Sequence, residues 1–319
     1  MSITKNHQSH ETLLALAAAA FPHQEVSTIT ELTEGMFNAA YRVDFADGSA
    51  SILKIAAASK DGLLSNEIDL MQAEVAAMEL AQANDLPHVA RVQYSDFSRT
   101  RCDGTYFFME AMPGCSVNSC RGELSSETFA SLMREVGQFQ KQTAAIHGEK
   151  FGLLGDEKRF DTLYELMQYL FTHVLHDAAA RQIDLGLAPK HLMRLLEEER
   201  HLFDGVKQPS LVHWDMWEGN IFVQDGHVSG IIDWERAMWA DPFMDDRFRC
   251  HTRSQAFLEG YGQTAFSTGE QRRIRWYDLF LFITMYVECF YRQYADNTDF
   301  VNWIRHEKDS AWKDIQVQH

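Results

Sequence analysis

The stretch that most constrains this chain is residues 211–235, LVHWDMWEGNIFVQDGHVSGIIDWE. One carboxylate, Asp215, lies in a loop, with the carboxamide of Asn220 five residues later. The apolar run Ile221-Phe222-Val223 then reads as a buried strand. Asp225-Gly226 is the strongest short hairpin signal, because a two-residue turn of this kind needs positive φ at both positions. A return strand from Val228 to Ile232 ends in a second carboxylate, Asp233. Such a hairpin brings Asp215, Asn220 and Asp233 to one end of two paired strands.

That set suits phosphoryl transfer. One carboxylate orients or deprotonates an attacking hydroxyl, and hard oxygen donors hold magnesium. Magnesium keeps several waters and takes one or two carboxylates beside phosphate oxygens, so Asn220 and Asp233 suffice on the protein side. The run His213-Trp214-Asp215-Met216-Trp217-Glu218-Gly219-Asn220 resembles the H-x-D-x-x-x-x-N catalytic loop of the aminoglycoside phosphotransferase and choline kinase group, relatives of the protein kinases. Ile231-Ile232-Asp233-Trp234-Glu235 resembles that group's second metal-binding motif.

The resemblance implies an α+β, protein-kinase-like bilobal fold. An N-terminal nucleotide-binding lobe of antiparallel sheet plus helix takes residues 1–112, with a hinge at its end. A mainly helical catalytic and substrate-binding lobe takes residues 113–319, with a helical insertion at about 150–207. The periodicity agrees with such a division. Residues 9–21 read as an N-capped helix, and residues 29–55 as an antiparallel meander with a turn at Ala46–Ser49. Residues 64–84 read as a helix stopped before Pro87, and Val89–Tyr94 and Thr105–Met109 as further strands. Past Ser125 the pattern is helical at 126–147, 161–182, 189–204 and over most of 254–315. The acidic run Glu197-Glu198-Glu199 reads as a solvated face.

The same resemblance assigns roles. Asp215 is the catalytic base, His213 a prop of its loop, and Asn220 and Asp233 hold Mg2+. Lys54, the lone charge in Ile52-Leu53-Lys54-Ile55, contacts the phosphates of ATP, and a helix glutamate braces it. Glu74 takes that part, with Glu67 its rival. Gly35 and Asn38 belong to a phosphate-covering loop at Glu34–Asn38, which has a single glycine where protein kinases have three. Backbone groups at Glu110 and Met112 meet the adenine. Trp214 stands where protein kinases regulated on their activation loop carry an arginine, so no protein substrate is expected.

Composition bounds the partners. The formal charge of −17 argues against nucleic acid and anionic membranes and is compatible with a cationic acceptor. Residues 1–110 hold 15 acidic and 7 basic side chains, leaving −9 for the longer remainder, so charge alone does not select the acceptor. The five cysteines show no metal or disulfide spacing and read as free thiols of a cytoplasmic protein. No apolar run is long enough to span a membrane. The expected activity is ATP- and Mg2+-dependent transfer to a hydroxyl of a small molecule, aminoglycoside-like. Choline, ethanolamine, homoserine or a sugar are the alternative acceptors. A silent nucleotide-binding pseudoenzyme is the alternative of another class, although Lys54, Asp215, Asn220 and Asp233 are all present.

Overall fold

In a computed structural model the described residues are 4–33, 35, 37–294 and 297–317. Five antiparallel strands form the first sheet: β1 (Val26–Leu32), β2 (Ala39–Phe45), β3 (Ala50–Ile55), β4 (Val92–Asp96) and β5 (Tyr106–Glu110), in the order β1-β2-β3-β5-β4. Alternation explains its two faces. Tyr41, Val43 and Phe45 of β2, with Leu53 and Ile55 of β3, bury against Leu13, Leu16 and Ala17 of α1 (His10–Ala20). Lys54 points to the other face. Ser9 caps α1, its Oγ accepting the Thr12 N–H at 3.1 Å.

The helix on that other face, α2 (Leu70–Ala83), is shorter than the 64–84 read from periodicity. Asp69 is left-handed (φ 44°) and makes no side-chain cap, while the Glu67 carboxylate accepts the Leu64 N–H at 2.8 Å and holds residues 64–67 in a turn. Strand β4 likewise starts late. Val89 instead pairs in parallel with Ile231 of the distant hairpin, whose N–H donates to His88 O at 2.7 Å.

The 211–235 stretch folds as its turn chemistry requires. Strands Ile221–Gln224 and His227–Ile231 pair antiparallel about Asp225 (φ 51°) and Gly226 (φ 81°), both left-handed. A short strand, Cys115–Ser116, adds to the hairpin's edge. Met238–Ala240 pairs antiparallel with Gly152–Leu153 on one side and Ser210–Val212 on the other, a small third sheet, and the other elements are chiefly the helices Ser126–Ala144, Leu163–Ala180, Pro189–Glu198, Arg200–Asp204, Gln255–Tyr261, Thr268–Tyr291 and Thr298–Gln316. Together with the sheet they give the expected α+β architecture. No described helix is long and apolar enough to cross a membrane, and all five cysteines are free.

The expected single helix over 189–204 breaks at Glu199, and the acidic run there is not wholly solvated. Glu198 pairs with Arg194 at the surface. Glu199 turns inward instead, accepting from Arg272 Nε at 2.9 Å and Trp276 Nε1 at 2.6 Å. A buried carboxylate needs such partners, and these come from a helix some seventy residues away, beyond the reach of local pattern.

The hairpin's place depends on Gly114. Its φ is +89°, and a Cβ built there lies 2.0 Å from the Val223 carbonyl oxygen. Gly114→Ala is therefore expected to cost at least about 1–3 kcal/mol, read as a lower urea midpoint at unchanged slope. An unchanged midpoint contradicts this packing.

Candidate active site

The loop from His213 to Asn220 is pinned from behind. The His213 imidazole is buried. Its Nδ1 accepts the Asp215 N–H at 3.3 Å, and its Nε2 lies 2.9 Å from Ile232 O. A carbonyl only accepts and an amide N–H only donates, so the proton sits on Nε2. Burial, outweighing the Ile232 carbonyl and Asp233, pushes this imidazole down to about 4. It stays neutral and ties the backbone of one site carboxylate to the residue preceding the other. Asp245 Oδ2 accepts the N–H groups of both His213 and Trp214 at 3.1 Å. Trp214 (φ 75°) and Asp233 (φ 70°) are both left-handed. Such backbone costs on the order of 1–3 kcal/mol per residue and persists where surrounding bonds over-determine it.

Across the cleft, Lys54 Nζ reaches Glu74 Oε2 at 2.6 Å and Asp233 Oδ1 at 2.8 Å. Glu74 is thus the lysine's partner in α2. Glu67 pairs elsewhere, with Arg236 at 3.0 Å and with Arg292. Glu235 adds a third carboxylate near Lys54, and its Oε2 accepts from Asn38 Nδ2 at 2.6 Å. Burial is the largest influence on all four ionisable groups. It is overcome at Lys54, which Asp233, Glu74 and Glu235 hold above its ordinary value, and at Asp233, which Lys54 holds below the usual range. It wins at Glu74, pushed up to about 7, and at Glu235, pushed up to about 8. One ammonium cannot hold all three carboxylates ionised, so near neutral pH Glu74 and Glu235 retain protons that an added cation would displace.

Asp215 is half-buried, and among the described residues its carboxylate has only a long bond, 3.4 Å, from Asn220 Nδ2. Burial lifts its pKa well above the ordinary value; Arg236 opposes this, and Asp233, Asp246 and Glu288 reinforce it. Asn220 is fixed by its Nδ2 bond to Asp215 O at 2.8 Å, which turns its Oδ1 into the atom offered to a cation. Ile232 N–H closes onto Asn220 O at 3.0 Å. Asn220 Oδ1 and the second oxygen of Asp233 are hard donors, with no thiol or imidazole among them, and Asp233 is held ionised. The set fits magnesium.

The remaining expected residues scatter around this centre. The Glu110 carboxylate accepts from Arg91 Nη2 at 2.8 Å, and its N–H donates to Arg91 O at 2.9 Å. The Met112 N–H has no acceptor among the described residues, and its side chain lies over Gly230, where a Cβ would come within 2.8–2.9 Å. An orphaned donor there fits the edge of a base. Gly35 is exposed with open space around it, and its neighbours Glu34 and Met36 lie outside the described residues.

Sequence reasoning missed a four-membered ion network beside Asp215. Arg236 bridges Glu67 and Glu288, the latter at 2.6 Å; Arg292 reaches the same two glutamates and covers the Phe37 ring at 4.4 Å. Only the i,i+4 spacing of Glu288 and Arg292 was visible beforehand.

The family whose model matches residues 28–277 is described as the phosphotransferase enzyme family. No curated protein sequence matches the chain significantly. Among solved structures, a thermostable variant of the aminoglycoside phosphotransferase APH(4)-Ia in ternary complex with ADP and hygromycin B superposes with TM-score 0.67 at 18% identity, over 95% of this chain and 98% of that one. A candidate fructosamine-3-kinase from Thermobifida fusca YX-ER1 superposes with TM-score 0.67 at 18% identity, over 94% and 99%. At these identities the likeness shows a shared fold.

The buried His213 generates a pH prediction. Between its ordinary pKa of about 6.5 and its folded value of about 4, the unfolded chain binds the proton more readily. Its contribution is therefore complete above that window and lost as pH falls through it. The stability gap between the natural chain and His213→Asn is expected to narrow by on the order of 3 kcal/mol from pH 7 to pH 4. Urea unfolding across pH measures this, and a constant gap contradicts the neutral, buried imidazole.

Proposed function

Because the chain belongs to the phosphotransferase enzyme family, we propose that this phosphotransferase moves the γ-phosphoryl group of ATP, with Mg2+, to a hydroxyl of a small molecule. The observation that carries the reading is Lys54, held 2.6 Å from Glu74 and 2.8 Å from Asp233, across the cleft from Asp215 and Asn220. Lys54 neutralises phosphate charge from the sheet side, and Glu74 aims it. Asn220 Oδ1 and Asp233 are the residues that would hold magnesium, which when bound supplies charge neutralisation on the phosphates. Met112 N–H is the donor for the adenine edge.

Asp215 orients the acceptor hydroxyl and takes its proton. A carboxylate made more basic by burial is better matched to that task than an exposed one. His213 and Asp245 hold its backbone so that reacting atoms meet in a fixed geometry, a large part of what a phosphotransferase contributes. Trp214 is buried at the position where an arginine would read a phosphorylated activation loop, which favours a small acceptor over a protein. Hygromycin B and fructosamines, named for structural neighbours, join amino alcohols, hydroxy amino acids and sugars as the acceptor classes to try.

The test is Mg2+-dependent ADP release from ATP across that panel, beside Asp215→Asn. One acceptor class is expected to stimulate turnover, with the variant slower by roughly 10²–10⁴-fold at unchanged ATP affinity. Stimulated turnover that survives the substitution overturns the role of Asp215. A chain that binds no Mg2+-nucleotide overturns the whole reading.

A further inference from the structure

Beside the catalytic loop lies a partly open cavity of about 40 Å3, walled largely by apolar side chains such as Leu64, Leu70, Leu170 and Phe280. Three other lining residues each carry a buried polar atom without a protein partner: Asn66 Oδ1, Trp214 Nε1 and Thr284 Oγ1. They come from three separate parts of the chain, the turn before α2, the catalytic loop and the helix Thr268–Tyr291.

Trp214 and Thr284 depart from what their residue types do elsewhere in the molecule. The fully buried Trp234 and Trp276 donate their indole N–H groups, to Ile231 O at 3.1 Å and to Glu199 at 2.6 Å. Thr143 and Thr172 turn their hydroxyls back onto the carbonyl four residues earlier in their helices, at 3.1 and 2.7 Å. Thr284 makes no such bond. A buried polar group without a partner costs about 1–3 kcal/mol, so three around one cavity call for a common partner.

The unpartnered atoms are neutral groups, an indole N–H, an amide oxygen and a hydroxyl. An ion of either sign would exchange its hydration for one or two neutral contacts. The guest is therefore uncharged. Trp214 Nε1–H needs an acceptor, Asn66 Oδ1 needs a donor, and Thr284 serves as either. A hydroxyl is the smallest group that offers both, and a water needs roughly 10–15 Å3 of such space.

We propose that this cavity is a binding site for an uncharged hydroxyl, joined by Trp214, Asn66 and Thr284. Water and the hydroxyl end of a small alcohol share this chemistry. The guest links the turn leading into α2, which carries Glu74 toward Lys54, to the residue preceding Asp215. It is a positioning element for both halves of the site.

The test uses the nitrogen-15-labelled chain, whose seven tryptophans carry one indole N–H each; Trp214→Phe identifies the signal of interest. A cross-relaxation peak between the Trp214 indole and long-lived water supports the site with water as guest. A saturable shift of that signal on adding methanol, absent with acetate, supports it with an alcohol. Thr284→Val is expected to abolish whichever signature is seen and to lower Tm by about 2–4 °C. A Trp214 indole showing neither water contact nor a methanol shift overturns the proposal, as does a higher Tm for Thr284→Val, the mark of an empty cavity relieved of an unpaired hydroxyl.

Discussion

The site depends on one buried ammonium shared between two lobes' worth of structure. Lys54 stands on a sheet strand, Glu74 on the helix behind that sheet, and Asp233 at the end of a hairpin 179 residues further along the chain. Its three close bonds carry both charge compensation and geometry. Without it, Glu74, Asp233 and Glu235 would face one another unpaired in a medium too dry to hold them ionised. With it, Asp233 is held ionised while Glu74 and Glu235 are pushed up to about 7 and about 8 for want of a second positive charge. That deficit is what a magnesium-bearing substrate is suited to relieve.

Around this bridge the chain spends stability on geometry. Trp214 and Asp233 sit in left-handed backbone without being glycine. His213 and Asp245 give up solvation to hold the loop from inside. These costs fall on the residues flanking the two carboxylates, where a shift of an ångström would matter most for a reaction run by positioning. The ion network of Arg236, Glu67, Glu288 and Arg292 closes the same region from the helical side.

Much of this was legible in the residues themselves, for local reasons. Asp225-Gly226 admits few conformations other than its tight turn, so the hairpin and the approach of Asn220 to Asp233 follow from it, while Asp215 is placed by His213 and Asp245. Ser9 and Ser125 announce their helices by accepting amide protons within three residues. What escaped was non-local. The choice between Glu74 and Glu67 depends on where α2 begins, which an unusual backbone at Asp69 decides. Glu199 belongs to an acidic run that looks like surface, and only Arg272 and Trp276 make it core.

The most direct test of the central claim is calorimetric titration of ATP into the natural chain and Asp233→Asn, each with and without Mg2+. If the acidic set around Lys54 is a magnesium-nucleotide site, Mg2+ strengthens ATP binding to the natural chain and does so far less in the variant. Binding indifferent to Mg2+ in the natural chain, or equally strengthened by it in both, would contradict the account.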